Sequence, residues 1–194
     1  MKDRPDQGER PLRADARRNR QRVLDVAAAA FTTEGPGVSV HEIARRAGVG
    51  TGTVSRHFPT KDALFQAIVL DRIEQCVAKA HTLAETHEPG AAFLAYFAFV
   101  VDKGAVDRLL ADALVGGGFD IDAAAARTGY DLEAVQHHLL TAAQRAGTIR
   151  PDVDTADVQA LIAGCLARER DRADPAARAR MVAIACDGLL ADRV

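Results

Sequence analysis

An all-α fold of about nine helices is what this 194-residue sequence predicts, and three observations predict it. Apolar residues recur at helical spacing along most of the chain, as in Val23, Ala27, Ala30 and Phe31. No segment shows the sustained alternation of β-branched residues that a half-buried strand needs. Clusters of glycine and proline separate the periodic segments, at Gly35-Pro36-Gly37, Pro89-Gly90, Gly116-Gly117-Gly118 and Pro151. With 48% of its residues hydrophobic, the chain can fill a proper core, which excludes disorder over its whole length.

Residues 1–13 are polar and hold two prolines, which reads as a flexible basic arm. A first helix spans about Ala14–Glu34 and stops at the Gly-Pro-Gly. Ser39, with Glu42 three residues on, is a capping-box signature that opens a short second helix ending at Ala47-Gly48. The third helix, Thr51–His57, follows almost at once and is broken by Phe58-Pro59. Thr60 caps a long fourth helix that ends near Glu85. Five more segments follow: the aromatic Ala91–Lys103, Val106–Leu114, a helix from Asp122 or Thr128 to Ala146, Thr155–Arg168 and Pro175–Leu190. The division expected is an arm over 1–13, a small three-helix domain over 14–61 and a larger helical domain over 62–194.

Several function classes drop out. The longest apolar run, Ala91–Val101, is shorter than the ~20 residues needed to span a bilayer. The polar N-terminus has no apolar leader, so a cytoplasmic location is expected. Cys76, Cys165 and Cys186 form no CxxC pair and suit buried thiols in a reducing compartment. Only two serines occur, Ser39 and Ser55, and neither lies in a GxSxG elbow. His41-Glu42 is followed by Arg45 where a zinc protease needs a second histidine. His81 and His87, six residues apart, do not share a helix face, and His137 and His138 point apart. The expectation is a protein that is not an enzyme and carries neither metal nor cofactor.

The net charge of −2 hides a split. Residues 1–61 hold 12 Lys and Arg against 7 Asp and Glu, a net of +5, and the remainder carries −7. A basic head on an acidic body fits an end that faces a polyanion, and a solvated arginine-rich tail carries the same charge. The two short helices favour the polyanion. Two such helices joined by a tight glycine turn, behind a longer one, make the pattern of a helix-turn-helix, whose second helix enters the major groove. Val54 and Phe58, four apart, can anchor the third helix, leaving Thr51, Thr53, Ser55 and His57 to face outward. Hydroxyls there can meet base edges or phosphates, and a threonine methyl can pack on a thymine methyl. Gly50 and Gly52 keep the helix N-terminus uncluttered for phosphate.

The stretch Arg17–Leu64 resembles the N-terminal DNA-binding domain of the TetR/AcrR family of bacterial repressors. The marks are Ala30-Phe31 with Gly35, Ile43-Ala44, Ala47-Gly48-Val49, Gly52-Thr53-Val54, and His57-Phe58 followed by Lys61 and Leu64. The later run Ala146–Asp152 resembles a loop common in the ligand-binding half of such proteins. The resemblance implies DNA contacts from His41, Thr51, Gly52, Thr53, His57 and Lys61, and the residue pattern itself adds Ser39, Gly50 and Ser55 as candidates. His57 and Lys61 match phosphate-binding positions, although a solvated helix end also accounts for His57. Arg45 and Arg46 suit a solvated face or backbone contacts. Arg10, Arg13, Arg17, Arg18 and Arg20 suit an arm that reaches phosphate or a minor groove or stays a disordered tail, with Arg17 and Arg18 the DNA-binding candidates among them. Two departures stand out: Ser55 replaces a usual tyrosine, and Pro36 replaces a common Tyr or Phe.

The resemblance further implies a small-molecule effector pocket and a homodimer. Phe93, Tyr96, Phe97 and Val100 share one face of the aromatic helix, which either packs a core or lines a pocket. Candidate lining residues are Phe93, Tyr96, Phe97, Leu110, Leu114, Phe119, Tyr130 and His137. The family pairs its last two helices across a two-fold, here about 155–168 and 175–190, where Ala163, Gly164 and Ala167 permit close approach. The expected function is a sequence-specific transcriptional regulator, a ligand-released repressor on a palindromic double-stranded DNA operator. The alternative is a DNA-binding regulator governed by a partner protein or by abundance, with no effector.

Overall fold

A computed structural model of the chain describes residues 9–35, 37–106, 129–168 and 174–191, with side chains from Asp15 onward. It is all-helical: eight helices and a single isolated β-bridge occur among the described residues. They are α1 (Glu9–Glu34), α2 (Val40–Ala47), α3 (Thr51–His57), α4 (Lys61–Thr86), α5 (Pro89–Val106), α6 (Leu132–Arg145), α7 (Thr155–Ala167) and α8 (Pro175–Leu189). The segment expected as a helix over 106–114 falls almost wholly outside the described residues, as do Leu110, Leu114, Phe119 and the side chains of Arg10 and Arg13.

Two boundaries differ from the sequence reading. The first helix begins at Glu9 rather than Ala14, because Glu9 to Arg13 contain nothing that stops a helix once Pro11 sits within its first turn. The helix expected from Asp122 or Thr128 begins at Leu132. Asp131 sets that start by accepting from the Ala134 amide at 2.8 Å.

The chain divides into two compact units, Met1–Asp71 and Arg72–Val194, with the division inside α4. The core of the first unit is built from one face of each helix. α1 supplies Val23, Leu24, Ala27 and Phe31, α2 supplies Ile43, Ala44 and Ala47, α3 supplies Val54, and α4 supplies Leu64 and Ile68. Burying a branched aliphatic side chain such as Ile43 removes apolar surface worth about 1.5–3 kcal/mol. Gly48 makes the join between α2 and α3 short. Its φ of 64° is left-handed, and its amide bonds Arg45 O at 3.2 Å while the Val49 amide bonds Ala44 O at 3.0 Å. This Schellman closure satisfies the last carbonyls of α2 and redirects the chain within three residues.

The second unit packs α5 against α6, α7 and α8. Its core holds Phe93, Tyr96, Phe97, Val100 and Val101 of α5, Leu139, Leu140 and Ala143 of α6, and Val158, Ile162 and Cys165 of α7. The same Schellman closure ends α6, at Gly147. The next residues form a clasp: Arg150 N donates to Leu189 O at 3.0 Å and Ala191 N to Thr148 O at 2.9 Å. That clasp is the structural role of the run Ala146–Asp152. Gly90, in the first turn of α5, is pressed onto it, since a Cβ there would lie 2.2 Å from Thr148 Cγ2. Cys76 and Cys165 are buried and Cys186 is half-buried, and none of the three is in a disulfide.

Candidate nucleic-acid interface

The interface starts from how two short helices are capped. Ser39 accepts from the Glu42 amide at 3.2 Å, which is the forward half of the expected capping box. The return half is absent. The Glu42 carboxylate instead takes Arg45 at 2.7 and 2.8 Å and Arg46 at 2.7 Å. A charged guanidinium outcompetes a backbone amide for a carboxylate. The complete reciprocal box lies elsewhere, between Asp154 and Asp157 at the start of α7.

Arg46 also holds Glu34, the last residue of α1, with Nη2 at 3.0 Å from Oε2. The four groups tie α2 to the end of α1. Arg45 and Arg46 hold the Glu42 carboxyl down to about 2, and Arg46 lowers that of Glu34. These two arginines are therefore committed to ion pairs on an exposed face.

α3 divides its residues cleanly. Val54 is 1% exposed and plugs the core, while Thr51, Thr53, Ser55, Arg56 and His57 all face solvent. Gly50 and Gly52 are exposed too, and Gly50 caps α3 without a side chain. His41, at the start of α2, lies 3.2 Å through Nδ1 from Thr51 Oγ1, so the first turns of α2 and α3 meet at the surface. The third helix ends on aromatic contacts. Arg20 of α1 sits 5.7 Å from the Phe58 ring centroid, and the half-buried Lys61 sits 5.6 Å from that of Phe31.

The structure thus brings Ser39, His41, Gly50, Thr51, Gly52, Thr53, Ser55 and His57 onto the exposed surface of α2 and α3. Arg17 and Arg18 lie exposed on α1, Arg18 paired with Asp15. A cleft of about 260 Å³ opens between α1 and α3, with Asp15, Asn19, Arg20, Thr53, His57 and Phe58 in its walls. Sequence reading did not single out Asn19. The available signal is the four-residue spacing of Asp15, Asn19 and Val23, which places them on one face of α1.

The residues expected at an effector site separate in the structure. Phe93, Tyr96 and Phe97 are buried to 2% exposure or less, Tyr130 is half-buried, and His137 is exposed. His137 Nδ1 lies 3.3 Å from Thr155 Oγ1 of α7, on the solvent side of α6. Gln136, its neighbour, turns inward and is 5% exposed. Burial pushes the Tyr96 hydroxyl well above its ordinary value, and nearby Cys76 adds to the shift. On α7, α8 and the residue that follows, large apolar side chains face outward: Leu161 is 37% exposed, Ile184 67% and Leu190 41%.

A short helix with one buried anchor and an exposed hydroxyl face, set across a left-handed glycine from a second short helix, defines a helix-turn-helix protein. Comparison with known proteins gives the family. Residues 23–68 match the family described as bacterial regulatory proteins, tetR family. Residues 88–191 match the C-terminal domain of SbtR-like transcriptional regulators. A TetR transcription regulatory protein from Mycobacterium vanbaalenii has a solved structure that is 47% identical and covers 93% of this chain and 99% of its own, with a TM-score of 0.72. A TetR transcriptional regulator from Streptomyces coelicolor is 30% identical over 90% of this chain and 99% of its own, with a TM-score of 0.70. HTH-type transcriptional regulators of Staphylococcus aureus are 39% identical over 59 residues, 30% of this chain and 32% of theirs. The chain therefore spans only about a third of those curated relatives. It belongs to the TetR family of transcriptional regulators. No described helix is long and apolar enough to cross a membrane.

Proposed function

We propose that this protein is a homodimeric repressor that grips a palindromic operator with α2 and α3 and releases it when a small molecule binds its second unit. The observation that carries the reading is the division of α3, with Val54 buried and a row of hydroxyl and imidazole groups exposed. In a major groove, Thr51, Thr53 and Ser55 offer short donors and acceptors to base edges, and the Thr53 methyl can pack on a thymine methyl. His57, Lys61, Arg17 and Arg18 supply phosphate contacts that set register without reading sequence. Leu161, Ile184 and Leu190 support pairing of α7 and α8 with a second copy, because exposed large apolar side chains on adjoining elements mark an interaction surface.

Release follows from linkage. An effector that prefers the state with lower operator affinity weakens DNA binding 5–150-fold for a coupling of about 1–3 kcal/mol. One observation favours a second reading, a regulator with no effector: Phe93, Tyr96 and Phe97 are already packed as core.

Salt dependence of operator binding tests the DNA reading. If about six phosphates are neutralised per dimer, log K falls with log salt at a slope of roughly −5. An affinity that does not change with salt removes the footprint.

A further inference from the structure

The core of the second unit strands two polar atoms. Tyr96 Oη on α5 and Gln136 Nε2 on α6 are buried and have no hydrogen-bond partner. Their residues are 2% and 5% exposed, so solvent does not satisfy them. Folded proteins pair nearly all such groups, because a buried donor left alone carries the full cost of leaving water. A Phe at 96 and a Leu at 136 would fill similar space at no such cost.

Both residues lie on the packed pair of α5 and α6. Gly90 in the first turn of α5 lies against Thr148, just past the end of α6, so the two packed helices run antiparallel. That register sets Tyr96 and Gln136 within roughly two helical turns of each other along the pair. The other buried residues of these two helices are apolar, among them Phe93, Phe97, Val100, Leu139 and Leu140. Arg72 is the one buried cation of this unit among the described residues, and it is already engaged by other groups. A buried carboxylate would need a cation of its own.

Resting on the effector-release reading above, we infer that the effector is an uncharged, largely apolar molecule whose oxygen acceptors take up the Tyr96 O–H and the Gln136 amide N–H. Dispersion and area burial against the aromatic residues hold its body, and the two donors orient it. A ketone, ester or ether oxygen fits this chemistry. A bare hydrocarbon leaves both donors stranded, and a carboxylate finds no uncommitted buried cation among the described residues.

Matched probes on the full-length chain test this, in thermal melts and ligand-detected NMR. One set is acetophenone, ethylbenzene and benzoate; the other is 2-nonanone, nonane and nonanoate. The expected result is that at least one ketone raises the melting temperature and binds at least tenfold more tightly than its hydrocarbon and its carboxylate. Tyr96→Phe and Gln136→Leu should each melt no lower than the unaltered chain, and at least one of them should lose at least tenfold in ketone binding, since a single carbonyl oxygen meets one donor at this spacing. Both variants should still bind operator DNA, the variant that loses ketone binding should resist release by the ketone, and unchanged ketone binding in both would overturn the inference. The inference is overturned if neither ketone binds, if hydrocarbon or carboxylate matches the ketone, or if either variant melts markedly lower. Failure of the unaltered chain to bind any DNA would instead remove the regulator reading, and ketone binding that leaves DNA bound would remove release.

Discussion

Val54 and Tyr96 lie near the centres of the two units, 1% and 2% exposed, and their burial does opposite things. Val54 has no polar atom to lose, so sinking it into the core fixes α3 and turns its hydroxyl-bearing neighbours outward. Tyr96 carries a hydroxyl into the core and leaves it without a partner. In the first unit the polar chemistry is exposed and the apolar residues only support it. In the second unit two polar atoms are buried without a partner, while α7 and α8 and the residue that follows expose Leu161, Ile184 and Leu190. Contact with water therefore points to a ligand in the first unit. In the second unit it is the mismatch with surroundings that points to one, an unpaired donor inside and an uncovered aliphatic side chain outside.

The largest effect is expected at Ile184, 67% exposed on α8. If its exposed side chain is half of a dimer contact, Ile184→Glu should yield a monomer by light scattering. Operator affinity should then fall by about 10²–10⁴-fold, because the second head no longer binds at high effective concentration. A dimer that persists would show that pairing lies elsewhere. Next in size is Gly90→Ala, whose Cβ would meet the Thr148 side chain. A loss of about 1–3 kcal/mol is expected in chemical denaturation, as for other overpacked sites. Restoration by Thr148→Gly would show that the clash itself is the cause.

Within the first unit, Thr53 and His57 should separate. Thr53→Ala should change base preference at one position, with about 1–3 kcal/mol of discrimination lost there. His57→Ala should weaken all duplexes by a similar factor. Competition binding against a panel of single-base variants reads both, and equal effects of both variants on every sequence would contradict the assignment. The smallest effect concerns acid. Glu42 is held at about 2 against an ordinary 4.5, so its pairing with Arg45 and Arg46 contributes in full above pH 4.5 and fades as pH falls toward 2. The unaltered chain and Glu42→Gln should therefore differ in melting temperature at pH 7 and converge below pH 3, with only a modest gap because the pairs are exposed.

The two units also differed in how far their sequences could be read. α3 emerges with the expected bounds, since Gly50, the Val54–Phe58 spacing and Pro59 are local signals. The all-helical architecture is equally legible from apolar periodicity. What could not be read depended on which of several competing partners wins and on tertiary packing. The competition of Arg45 and Arg46 for Glu42 undid half a capping box that local spacing supported. His137 and Gln136 are adjacent, and only the packing of α6 decides that the glutamine turns inward while the histidine meets Thr155. A glutamine in register with Leu132, Leu139 and Leu140 was the sequence signal for a polar group in the core. In the stripes of α7 and α8, inward and outward residues read alike, and the structure separates Ile162 from Leu161 and Ala185 from Ile184.

The central claim is that two copies of the α3 surface read one duplex. Selection of bound DNA from a random pool by the purified full-length protein tests it most directly. The account predicts a two-fold symmetric consensus whose half-sites lie about one helical turn (~34–36 Å) apart or a multiple of it. Enrichment of no sequence, or of a single half-site without symmetry, would contradict it.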